Sequence, residues 1–244
     1  MFSKKNIAIL LAEFMGVVVL ACSAFSVIRW QLPSMFVAIM AGLVLGLLVN
    51  TIGSTSGAHV NPAITLGLWS VRKIQTSRAI LYVGVQLLGG LATLALLKYL
   101  LGTELQSSIK GSFDWKVLIS EGLGAFVFGF GVASAVYQKY TGNQLAFTVG
   151  LSLTAGILVA SFASNAVVNP AVAIGLKSWS WAYAAGPVLG SILGMNVYAL
   201  FFTEGEFNIP KKISIAKKST SVAKKSVSSK AKSAKKRPAA RKRR

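Results

Sequence analysis

Two identical tripeptides, Asn61-Pro62-Ala63 and Asn169-Pro170-Ala171, carry the most pointed chemistry in this sequence. Asparagine then proline then alanine is a helix start. The asparagine oxygen caps the first N–H groups, proline at the first helical position gives up no useful N–H, and alanine favours continuation. The amide NH2 remains available to a lumen, at the positive end of a helix dipole, where it orients water and disfavours cations. That is recognition chemistry, not bond making. The remaining reactive side chains are sparse: six acids, of which Glu13 and Glu121 fall within apolar stretches, the single histidine His59 and the single cysteine Cys22. No paired carboxylates, nucleophile constellation or phosphate loop occurs at usable spacing, so an enzyme is the weakest expectation. With no second histidine to share a metal, His59 is expected to fix the geometry of the first turn, and neither metal nor cofactor is expected. Cys22, among Leu20, Ala21 and Ala24, reads as a small packing residue.

The elements that must position these turns follow from composition. A chain of 244 residues that is 54% hydrophobic and 13% charged, with mean hydropathy +0.63, belongs to the membrane class. Apolar stretches near 7–28, 35–53, 79–101, 115–137, 144–163 and 181–202 are each about the ~20 residues that cross a bilayer. Two more, 61–70 and 169–178, are about half that length and follow polar, small-residue turns, so they enter the membrane without crossing it.

Sliding the chain against itself by 108 residues superposes Glu13 on Glu121, Gly16 on Gly124, Ala38 on Ala146, Gly42 on Gly150, and one Asn-Pro-Ala on the other. The sequence is a duplication, with repeats at about 5–105 and 113–205. Each repeat holds three crossings, an odd number, so the two are inverted. Two half-helices entering from opposite faces then bring their N-termini together near the midplane. Alone, either motif is an ordinary helix cap; as a matched pair between spans they point to a pore. The fold class expected is all-α: six transmembrane helices and two re-entrant half-helices in a domain over 1–210.

Lys4, Lys5, Arg72, Lys73, Arg78, Lys139 and the C-terminal tail fall on one side of the spans, against Arg29, Lys98, Lys110, Lys116 and Lys177 on the other. The positive-inside rule places both termini in the cytoplasm, and the expected location of this multi-pass protein is the plasma membrane. Small residues at every fourth position, Ala38, Gly42 and Gly46 and again Gly186, Gly190 and Gly194, let helices approach closely.

Over residues 5–205 the sequence resembles the major intrinsic proteins, the aquaporins and glycerol facilitators, on both Asn-Pro-Ala turns, the flanking Ser56-Gly57-Ala58-His59-Val60 and the Gly186-Pro187 pair. The resemblance implies an hourglass monomer with its own pore, assembled as a homotetramer. It also implies that Glu13 and Glu121 are buried acceptors for backbone N–H groups of the re-entrant loops. Read from the residues alone, any intramembrane carboxylate is equally a candidate proton relay. Their matching places in the two repeats favour the structural role.

The sequence departs from the common family pattern where an arginine follows the second motif: here that residue is Val172, followed by Ala173 where glycerol-type members carry aspartate. The other constriction positions, carried over by spacing, are Ala41, Ile157 and Ala166. The expected filter is apolar and wider than a strict water filter. Passive permeation of water and small uncharged solutes is expected. A proton-coupled transporter using Glu13 and Glu121 is the alternative, and a membrane anchor whose tail carries the function is a third reading. The tail, residues 211–244, holds 15 Lys or Arg and no acid, and is expected to be disordered. It reads as a solvated segment that helps orient the protein, then as a contact for anionic lipid, and last, lacking aromatics, as a nucleic-acid binder.

Overall fold

A computed structural model describes residues 3–107 and 113–203. Among them the structure is helical, in the order α1 (Lys4–Arg29), α2 (Ser34–Ser56), α3 (Pro62–Ser70), α4 (Thr76–Leu101), α5 (Trp115–Tyr137), α6 (Gly142–Ala160), α7 (Pro170–Gly175) and α8 (Trp181–Phe201). Six of these are long and apolar enough to cross a membrane; α3 and α7 are not. The tail beyond residue 210 lies outside the described residues. Helix boundaries follow local chemistry: Ser3 and Asp114 cap α1 and α5 through their side chains, and glycines in the left-handed region, Gly57 and Gly102, close α2 and α4.

Each repeat forms a triad, α1 against α2 and α4, and α5 against α6 and α8, and the triads meet where α2 packs on α6. The half-helices are exchanged between repeats: α3 lies mainly on α8 and α7 mainly on α4. Glycine permits both contacts. A Cβ on Gly67 of α3 would press on Met195 of α8, and one on Gly175 of α7 on Thr93 of α4. The small-residue stripes act in the same way. Gly42 and Gly150 each face the other's carbonyl oxygen across α2 and α6, and Gly186, Gly190 and Gly194 face the carbonyls of Leu118, Gly122 and Phe126 on α5. Between triads lies an apolar core that includes Val17, Leu45, Phe128, Leu153 and Met195. Outward, the crossing helices expose Leu11, Leu43, Leu88, Leu123, Phe147 and Leu193, apolar side chains suited to lipid.

The second half-helix is shorter than the sequence suggests. It ends at Gly175, not at 178, because Lys177 turns into the left-handed region (φ 52) and its ammonium donates to the Leu105 carbonyl oxygen at 2.7 Å. With six residues in α7 against nine in α3, α8 begins 105 residues after α4, and the 108-residue register lapses there.

Candidate pore and its constriction

The two motifs meet. Asn61 accepts from Ala63 N–H at 2.8 Å, capping α3, and Asn169 accepts from Ala171 N–H at 3.0 Å and Val172 N–H at 3.3 Å, capping α7. Each amide then reaches across the repeat boundary: Asn61 Nδ2 donates to the Val168 carbonyl at 3.0 Å, and Asn169 Nδ2 to the Val60 carbonyl at 2.9 Å. These crossed bonds use one N–H of each amide and leave the other for a lumen. Both asparagines are buried, and both line the same cavity.

Behind each turn sits a carboxylate. Glu13 accepts from the N–H groups of His59 (3.0 Å) and Val60 (2.7 Å); Glu121 accepts from Val167 (2.9 Å) and Val168 (2.6 Å), the positions 108 residues on. The third donor differs: Gln86 Nε2 from α4 for Glu13, the Ser164 hydroxyl for Glu121. Both are fully buried, neither lines the cavity, and among the described residues neither pairs with a cation. Bonds from two successive N–H groups curl each loop, and Ala58 and Val60, like Ala166 and Val168, take positive φ to permit it. The carbonyls of Gly57, Ala58 and His59 in one loop, and of Ala166 and Val167 in the other, consequently accept no protein hydrogen bond among the described residues. Free carbonyls inside a membrane are tolerated where water reaches them.

The His59 ring borders the cavity, edge-on to Tyr82 at 5.2 Å, with Nδ1 3.2 Å from Thr65 Oγ1. Thr65 in turn bonds Gln86, joining the ring to the Glu13 network. No group of three or more potential metal ligands exists among the described residues.

Ala41, Ile157, Ala166 and Val172 all line that cavity, whose volume of about 30 Å³ admits water. Leu20, Val37, Leu45, Phe128, Leu153 and Leu176 border the same space. The cavity adjoins a vestibule of about 690 Å³ through shared lining residues, including Ile28, Val37 and Ala166. Arg29, Ser34, Gln106 and Glu104 line that opening. Lys98, 2.7 Å from Glu104, holds its carboxyl below the usual carboxylate range.

Asn165 borders both cavity and vestibule, its backbone N–H held by the Tyr183 hydroxyl at 2.9 Å. Sequence reasoning passed over it, although a polar residue beside Ala166 in an otherwise apolar run was a usable signal. Gln86, Thr65 and Ser164 carried no such signal, because only the packing of α4 and the loop against the carboxylates reveals their part.

The family described as major intrinsic protein matches residues 1–198 of this chain. This chain belongs to that family. Relatives include aquaporin-5 of Mus musculus, 27% identical over 84% of this chain and 85% of that protein, and the lens fiber major intrinsic protein of Ovis aries, 32% identical over 78% and 79%. In fold it is similar to the aquaglyceroporin of Plasmodium falciparum, with a TM-score of 0.67 and 17% identity over 80% of this chain and 96% of that one. Members of the major intrinsic protein family are channels, not enzymes.

Proposed function

We propose that this chain is a passive channel for water and small uncharged solutes, whose path passes Asn61 and Asn169. The observation that carries this reading is the pair of crossed asparagine bonds at one cavity, with two half-helix N-termini directed toward it. A permeating water there meets amide donors and two positive dipole ends that disfavour cations. Ala41, Ile157, Ala166 and Val172 form the selectivity ring. It offers few hydrogen bonds in a narrow cavity, which favours small neutral molecules over larger polyols. Glu13 and Glu121 serve as acceptors that hold the loops, and His59 braces the first turn. Support for a proton relay is lacking, since both carboxylates face loop N–H groups instead of the cavity.

A homotetramer in the plasma membrane accords with the family. Cytoplasmic termini accord with the charge asymmetry, and the domain over 1–210 is followed by a tail (211–244) that contacts anionic lipid more readily than nucleic acid. Stopped-flow swelling of proteoliposomes tests the proposal. Expected are water permeability well above that of empty liposomes, slower glycerol entry, and flux that neither saturates nor responds to a pH gradient. Water permeability equal to that of empty liposomes rejects a water path, and saturable, pH-driven flux selects a transporter.

A further inference from the structure

We propose that the face bearing the N-terminus carries a docking site for the phosphate of an anionic lipid headgroup, formed by Trp69, Arg72, Lys73 and Thr76. The turn between α3 and α4 outlines a hollow of about 240 Å³, lined by these residues with Ile74 and Gln75. It is separate from the pore cavity and shares no residue with it.

Three observations point to the ligand. First, among the described residues the cations have no anion. Both ion pairs among the described residues involve Glu104, near the opposite ends of the helices, and Lys73 lies instead 4.0 Å over the Tyr137 ring. Second, the charge of the described residues on that face is one-sided. Lys4, Lys5, Arg72, Lys73, Arg78 and Lys139 flank helix ends there with no carboxylate among the described residues, whereas Arg29, Lys98, Lys116 and Lys177 share the other face with Glu104 and Asp114. The bare cations concentrate an external anion instead of pairing internally. Third, the site is placed at headgroup depth. Trp69 is exposed, its indole N–H donates to Thr76 Oγ1 at 3.0 Å, and tryptophan and tyrosine collect where the hydrocarbon meets water. Trp69 thus presents an apolar surface to the glycerol region while Arg72 and Lys73 meet the phosphate. A lipid reaches this hollow without leaving the bilayer.

The test uses the full chain in neutral bilayers that contain a photoactivatable phosphatidylglycerol, or a photoactivatable phosphatidylcholine in the control arm, with labelled peptides mapped by mass spectrometry. The anionic probe is expected to label the Trp69–Arg78 segment. Labelling falls about fivefold for each charge removed in Arg72→Gln and in Arg72→Gln/Lys73→Gln, and is retained in Arg72→Lys/Lys73→Arg. Labelling of the tail is unchanged throughout and serves as the internal reference. Both residues lie outside the pore cavity, so water permeability stays at the native level and reports an intact fold; if the double variant aggregates, Arg72→Gln alone decides, because it keeps the Lys73–Tyr137 contact. Equal labelling by the neutral probe overturns the proposal, as does labelling indifferent to the loss of both charges. Displacement of the anionic lipid from this segment by a short DNA duplex assigns the face to nucleic acid and overturns it equally.

Discussion

Ile157 is the bulkiest of the four side chains expected at the constriction, and it stands beside two alanines and a valine in a space of about 30 Å³. Ile157→Ala removes bulk at the point where bulk decides passage. The glycerol-to-water permeability ratio is expected to rise by roughly tenfold or more, since each methylene in an apolar site is worth about 1–3 kcal/mol of discrimination and this change removes three carbons. Swelling in glycerol and in an impermeant osmolyte measures it, and an unchanged ratio removes Ile157 from the filter. At Glu121 the issue is geometry and not flux. Glu121→Gln leaves one amide oxygen for the Val167 and Val168 N–H groups and the Ser164 hydroxyl, all of which now bond the carboxylate. Bonds to a charged acceptor are worth about 1.5–3 kcal/mol each, so a loss of that order in stability is expected, seen as a lower melting temperature. A variant that melts like the native protein yet loses a pH-driven flux revives the relay.

Between elements, contact is set by the absence of side chains. The Gly190 Cα sits so close to the Gly122 carbonyl that an added Cβ would overlap it, whereas nothing lies within 4 Å of a Cβ built on Gly84. Gly190→Ala is expected to push α8 from α5 and destabilise the channel by about 1–3 kcal/mol, while Gly84→Ala is neutral or slightly stabilising. Thermal melting of both in the same detergent makes the comparison, and equal melting refutes the packing account. The glycine stripes were legible in the sequence as close-approach surfaces, but their partners were not. Nothing local to α3 or α7 says that each lies against a helix of the other repeat, since that exchange follows from inversion and from the meeting of Asn61 with the Val168 carbonyl and Asn169 with that of Val60.

On the scale of the molecule, charge divides into a +15 tail and a +5 body within the total of +20. Deleting residues 211–244 is expected to leave water permeability per channel unchanged, because every residue lining the cavity precedes position 177. The deletion is expected to weaken attachment of the protein to added anionic vesicles, with the difference fading as salt rises. Swelling assays and salt-titrated vesicle sedimentation on the two chains check both halves, and lost swelling after deletion would place the tail in the conduction machinery.

Spans, duplication and the two half-helices were set by linear features: apolar length, a common offset, and Asn-Pro at a helix start. Each of these acts within a few turns of chain, so each is written where it operates. Only the tertiary structure decided which side chains share the cavity, because Leu20, Phe128 and Leu153, which come from other helices, border it together with Ala41, Ala166 and Val172. It also decided which groups serve the carboxylates, Gln86 on one side and Ser164 on the other, where the repeat predicts the backbone donors but not the third. A pore is the space that side chains from six or more segments leave unfilled, and its width emerges when those segments pack.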